Sequence, residues 1–314
     1  MKEKICIIAG PTAVGKSDIS IDVAKSLHGE IISADSAQVY RYMDIGTAKL
    51  KKEEMQGIPH YMIDEVYPDE NFSVALFRDK AKEYIREISD KGKLPIFVGG
   101  TGLYINSLLN NLDFTDSIID EDYRKNLKDI ALEKGNEYLH NTLKKIDPMS
   151  YKKLHPNDIK RIIRALEVYK HTGKPISYFQ IKSKEYPCQY EFAYVCLNMN
   201  RQKIYDRINR RVDIMIKEGL VVEVENLLKM GYNKELTSMQ ALGYKEIIPY
   251  IEGKLSIEEA ISTLKSNTRH YAKRQLTWFR SDRRIFWINV DGYMRIEDVV
   301  ENIIRYVAGK IAFI

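Results

Sequence analysis

The string that most limits what this chain can become is Gly10-Pro11-Thr12-Ala13-Val14-Gly15-Lys16-Ser17. It has the form G-x-x-x-x-G-K-S, and its setting matters as much as its letters. Lys4–Ala9 before it is short, apolar and rich in β-branched residues, the pattern of a buried strand. Ser17–Leu27 behind it carries Ile19, Ile21, Val23, Ala24 and Leu27, roughly one face of a helix. Strand, glycine loop and helix in that order make a phosphate cradle. The glycines let the backbone curl so that its N–H groups turn inward, and the helix N-terminus adds partial positive charge. Lys16 then reaches the terminal phosphates of a di- or triphosphate, and the Ser17 hydroxyl suits a Mg²⁺ ion.

The rest of the chain extends that unit. Glu30–Ala34 and Leu94–Val98 read as further short strands, and Phe77–Ile88 as a helix through Phe77, Ala81, Tyr84, Ile85 and Ile88. This alternation predicts an α/β fold, a P-loop NTPase-like parallel sheet flanked by helices. From Asp120 to Gly173 the texture turns polar, charged and helical. Glu191–Leu197 and Ile285–Val290 resume the strands, with helices over Arg201–Met230, Ser256–Arg280 and Ile296–Ala308. The expected division is therefore a core of residues 1–112 and 190–314, interrupted by a helical insertion over 113–189. No run approaches the roughly 18 apolar residues of a membrane span, and no signal peptide is recognisable. Cys6, Cys188 and Cys196 are too few and scattered for a disulfide framework, and the six histidines are isolated, so no zinc site is expected. A cytoplasmic monomer is the expectation. With 49 basic and 44 acidic residues the net charge is +5, too mild to name a polyanionic partner without knowing where the charge lies.

Ordinary P-loop ATPases and GTPases hold their metal with an acid ending a core strand. Leu94–Val98 ends instead in Gly99-Gly100-Thr101-Gly102, whereas Ile31-Ile32-Ser33-Ala34 ends in Asp35. An Asp at a strand's carboxyl end beside a phosphate loop is placed for chemistry, as a metal-associated acid or a general base. It is equally a residue type that caps a turn. Thr101 has the same two readings, a hydroxyl for substrate or a helix N-cap. Arg207, Arg210 and Arg211 open one helix, and Arg207 and Arg211 share a face at i, i+4. They serve either a diphosphate or a solvated basic surface.

Several strings then coincide in order: Asp35-Ser36-Ala37-Gln38-Val39-Tyr40, Asp44-Ile45-Gly46-Thr47-Ala48-Lys49, Pro59-His60-Tyr61 and Gly99-Gly100-Thr101-Gly102-Leu103-Tyr104. Asp158 with Arg164-Ala165-Leu166-Glu167-Val168, Ser238-Met239-Gln240-Ala241-Leu242-Gly243-Tyr244, and Arg269 with Lys273-Arg274-Gln275-Leu276-Thr277-Trp278-Phe279-Arg280 complete the set. Together they closely resemble the bacterial tRNA dimethylallyltransferases, or tRNA isopentenyltransferases, from about Lys4 to Arg280. The resemblance implies transfer of a dimethylallyl group from dimethylallyl diphosphate to N6 of adenosine 37, in tRNAs reading codons that begin with U. It implies that Asp35 is the general base and that Thr101 touches substrate. It further implies that an arginine among Arg207 and its neighbours faces the diphosphate. Residues 10–17 with Mg²⁺ would stabilise that diphosphate as it leaves.

The anticodon stem-loop needs a basic surface with planar groups. Lys265–Arg284 holds seven basic residues against one acid, Asp282, with His270, Tyr271, Trp278 and Phe279 interleaved. Lys160, Arg161 and Arg164 form a second cluster. The resemblance puts tRNA on both clusters, on Asp35, Ser36, Ala37 and Gln38, and near Thr101. It adds Met239, Gln240, Gly243 and Tyr244, the run Lys273, Arg274, Gln275, Trp278 and Arg280, and an early basic residue of the insertion, for which Arg124 is the candidate. For Trp278 and Phe279 core packing is an equal alternative. The chain departs from the family pattern at Val14 and Ser17, where members often have Ser and Thr, and a zinc-finger tail of the eukaryotic kind is not expected. Three other readings compete: an enzyme prenylating free AMP, a small-molecule kinase, and a non-catalytic RNA-binding module. The insertion, the missing second acid, and the joint presence of Asp35, Lys16, Ser17 and Thr101 count against them in turn.

Overall fold

The computed structural model describes residues 2–110, 120–185 and 187–312. The chain packs as two units, Met1–Ile105 with Tyr190–Ile314, and Asn106–Gln189. The expected start of the insertion at 113 lies outside the described residues.

In the first unit β1 (Lys4–Ala9) leads through the glycine loop into α1 (Lys16–Ser26). Then come β2 (Gly29–Ser33), the two-residue β3 (His60–Tyr61), α2 (Val74–Asp90), β4 (Leu94–Gly99) and α3 (Gly102–Leu109), in which the second unit begins. The second unit holds α4 (Glu121–Lys134), α5 (Asn136–Ile146), α6 (Pro148–Lys153), α7 (Ile159–Thr172) and α8 (Ile176–Glu185). The chain returns through β5 (Glu191–Asn198), α9 (Arg201–Glu218), α10 (Leu220–Lys229), α11 (Tyr244–Ile251), α12 (Ile257–Arg280), β6 (Phe286–Asn289) and α13 (Ile296–Lys310).

The sheet runs β3-β2-β4-β1-β5-β6, and every pairing is parallel. Parallel strands are covered on both faces, so their central positions are mostly apolar. Ile5 to Ala9 of β1 and Ala193 to Leu197 of β5 are all buried. Because all strands point one way, their carboxyl ends share one edge of the sheet, where ligands of open α/β sheets bind. A second apolar cluster joins Val212, Leu220, Val224, Met239, Tyr244, Ile247 and Leu264. The insertion has its own core of Leu127, Leu139, Leu143, Ile162 and Leu166.

One expected helix is two. Arg201–Met230 breaks at Gly219, whose φ of +104° is left-handed and ends α9. Two elements carry little signal in the sequence: α11, where Pro249 interrupts the helical pattern, and β3, too short to show alternation.

Candidate active site at the carboxyl edge of the sheet

The loop after β1 takes the conformation its letters require. Gly15 has φ +97° and caps α1, and Ala13 is also left-handed at +64°. Lys16 Nζ donates to the carbonyls of Gly10 (3.0 Å) and Pro11 (2.9 Å). An ammonium has three donors, so one is left for a ligand. Burial pulls its pKa down to about 8, against the field of Asp35, which raises it.

Asp35 follows β2 by two residues. Its Oδ1 accepts from Ala37 N at 2.9 Å, so the turn-capping reading describes one oxygen. Among the described residues Oδ2 takes no hydrogen bond, and the carboxylate lines the same cavity as Lys16. Thr101 sits at the end of β4 with its amide on Ala34 O (3.1 Å), and its Oγ1 accepts from Ser36 N (3.1 Å). That bond ties the two strand ends together. Ser36 is exposed, and Ala37 and Gln38 are half-buried. Gln38 is held by Ser33 Oγ (2.9 Å) at its carbonyl, with its amide N–H on the carbonyls of Thr47 and Ala48 (both 3.4 Å).

The glycines of Gly99-Gly100-Thr101-Gly102 permit close approach. A Cβ on Gly100 would lie 2.0 Å from Gln275 Nε2, and one on Gly102 would lie 2.2 Å from Trp278 Cδ1. Gln275 itself bridges two loops. Its Oε1 accepts from Thr12 N (2.9 Å) and its Nε2 donates to Gly100 O (3.0 Å).

From α9, Arg207 Nη1 donates to Val14 O at 3.2 Å and reaches Ala13 O at 3.5 Å, against the back of the phosphate loop. Arg211 lines the cavity one turn on, and Arg210 does not. The cavity, of about 130 Å³, joins Thr12, Lys16, Ser17, Asp35 and Arg211 to an apolar wall that includes Leu50, Met215, Leu242 and Leu264. Tyr271 closes it, with burial and Asp35 raising its phenol to about 12. Nothing in the local sequence marked that wall, because its residues come from four separate segments.

Several residues expected on tRNA are buried or paired within the protein. Met239 and Tyr244 are both 0% exposed, inside the second apolar cluster. Gly243 is buried over Gly46, its N–H capped by Glu246 (2.9 Å). Gln275 is 6% exposed with both amide ends engaged, so it braces the site from within. In the insertion Glu167 is 0% exposed and accepts from Arg124 Nε (2.8 Å) and Nη2 (3.0 Å) and from Arg164 Nη1 (2.5 Å). Arg124 and Arg164 thus share one buried carboxylate as partner, whereas Lys160 and Arg161 are exposed. Gln240 is exposed, with its amide on Lys234 O. On α12, Lys273, Arg274 and Arg280 are exposed, Trp278 is 38% exposed, and Phe279 is core.

A family model for IPP transferase matches residues 38–282. The chain belongs to the IPP transferase family. It is 56% identical over 315 residues to a tRNA dimethylallyltransferase of Thermoanaerobacter sp. (strain X514), covering all of both chains. Among solved structures it is similar to the full-length tRNA isopentenylpyrophosphate transferase of Bacillus halodurans (46% identity, TM-score 0.72, 98% of each chain). It is also similar to a eukaryotic dimethylallyltransferase captured acting on tRNA (31% identity, TM-score 0.75, 91% of this chain and 74% of that one). For an IPP transferase the P-loop NTPase-like sheet and the transferase class follow directly. Among the described residues no helix is long and apolar enough to cross a membrane.

Proposed function

We propose that the chain transfers a dimethylallyl group from dimethylallyl diphosphate to N6 of adenosine 37, in tRNAs reading codons that begin with U, and releases diphosphate. The observation that carries this reading is one cavity uniting a phosphate loop, a strand-end carboxylate and an apolar wall. A diphosphate ester with a short hydrocarbon tail needs the first and third. A weakly nucleophilic exocyclic amine needs the second.

As the C–O bond of the ester lengthens, charge gathers on the diphosphate. The loop N–H groups, the free N–H of Lys16 and Arg211 stabilise it. The allylic carbon bonds to N6, and the amine's proton passes to Asp35. Mg²⁺ is the metal the site fits. Ser17 lines the cavity, and its hydroxyl makes no hydrogen bond among the described residues. Those residues hold no group of three or more His, Cys, Asp and Glu side chains able to bind a metal. Mg²⁺ suits such a site because it keeps waters and takes substrate phosphate oxygens. When bound it neutralises the leaving group. On α12, Lys273, Arg274, Trp278 and Arg280 are exposed and basic or planar, and are offered to the anticodon stem-loop; in the insertion, Lys160 and Arg161 are separate exposed basic candidates for the same RNA.

The test mixes the protein, Mg²⁺ and radiolabelled dimethylallyl diphosphate with a tRNA bearing adenosine at nucleotides 36 to 38, and with its guanosine-37 counterpart. Label on the first tRNA alone supports the reading. Label on free AMP instead would replace it with the nucleotide-prenylating enzyme.

A further inference from the structure

One carboxylate outside the cavity organises its wall. Glu223 on α10 accepts three successive backbone N–H groups: Asp44 (3.0 Å) and Ile45 (2.8 Å) on Oε2, and Gly46 (3.0 Å) on Oε1. The buried Tyr244 hydroxyl donates to Oε1 at 2.6 Å. Successive N–H groups converging on one point form an anion nest, here filled by a side chain from 177 residues away. The fit is close, since a Cβ on Gly46 would lie 2.5 Å from the Tyr244 ring. Glu223 does not line the cavity, but the segment it grips does, through Thr47, Ala48 and Leu50. That segment also supplies the two carbonyls that hold the Gln38 amide three residues from Asp35.

We propose that Glu223 is a positioning residue for the transfer reaction. It holds residues 44–48, whose carbonyls fix the Gln38 amide, so that the Gln38 carbonyl keeps one orientation beside Asp35 with its second lone pair open to the adenine. The proposal rests on the prenyl-transfer reading. Replacing the carboxylate by an amide keeps size but turns one acceptor into a donor aimed at N–H groups. The nest then has no anion, and the segment loses its reason to stay.

The experiment compares wild type with Glu223→Gln and the milder Tyr244→Phe, which keeps the carboxylate. Three quantities are read: single-turnover prenyl transfer per folded molecule, affinity for inorganic diphosphate with Mg²⁺, and hydrogen exchange of the amides of residues 44–46. The expected result for Glu223→Gln is transfer slowed about tenfold or more, because small misplacements at a reacting centre are expensive. Diphosphate affinity stays within about twofold, since residues 10–17 are untouched, and the three amides exchange faster. Tyr244→Phe should fall between the two proteins. Equal loss of diphosphate affinity would mean general disruption, and transfer within about twofold of wild type would mean no positioning role; either overturns the proposal. If wild type transfers no prenyl group, the reading of the reaction fails. Slow exchange at 44–46 in wild type and fast exchange in Glu223→Gln would still support the clamp, and fast exchange in wild type would overturn it.

Discussion

At Lys16 two effects oppose each other. Burial draws the ammonium toward neutrality, to a pKa of about 8 from its ordinary 10.5, while Asp35 favours the charge. A bound diphosphate adds negative charge and raises that pKa again. Binding therefore takes up a proton above pH 8 and none below it. Affinity for dimethylallyl diphosphate should be constant below about pH 8 and fall above it, by up to roughly tenfold per pH unit until the bound-state pKa is reached. Calorimetry in buffers of different ionisation enthalpy would register the proton; a pH-independent affinity from 7 to 9.5 would contradict the assignment. Asp35 makes a separable contribution. Asp35→Asn keeps the turn-holding oxygen but removes the proton acceptor. Single-turnover transfer should drop by ~10²-fold or more with tRNA affinity nearly intact. A near-normal rate would remove Asp35 from the chemistry.

Among the elements, α12 joins most of the parts. One face carries Tyr271 and Gln275 to the cavity, and another presents Lys273, Arg274 and Arg280 to solvent. Gln275→Leu would leave Thr12 N and Gly100 O without partners, at a cost of about 1–3 kcal/mol for each buried group. The expected signs are a lower Tm and weaker diphosphate binding together; loss of stability alone would make the brace irrelevant to the loop. The same helix shows where sequence is informative. Its 24 residues are legible in the sequence as a helix, as is the whole of β1 as a strand. The phosphate loop was legible because its chemistry is contiguous. Met239, Tyr244 and Gln275, which the resemblance puts on tRNA, are buried, because a buried brace and a surface contact can occupy the same short string and only burial separates them. Glu223 gave no signal at all, since its partners at 44–46 are remote in sequence and bind through backbone N–H groups that no side chain reveals.

For the whole molecule, a net charge of +5 says little, but its placement makes a quantitative claim. If Lys273 and Arg280 each meet a phosphate, the double change to Gln should weaken tRNA binding uniformly across sequences. It should also reduce the slope of log K against log salt by roughly 2. An unchanged slope, measured between about 50 and 200 mM salt, would put the RNA elsewhere. The sheet order has a consequence in time as well as space. β1 lies between β4 and β5, yet β5 begins only at Glu191, after the 84-residue second unit. At a synthesis rate of about 5–20 residues per second, the ribosome delivers β5 roughly ten to forty seconds after β1. Throughout that interval one flank of the most apolar strand in the protein lacks its partner. The nascent chain is most exposed to mispairing then, and a chaperone that shields strand edges would matter most during those seconds.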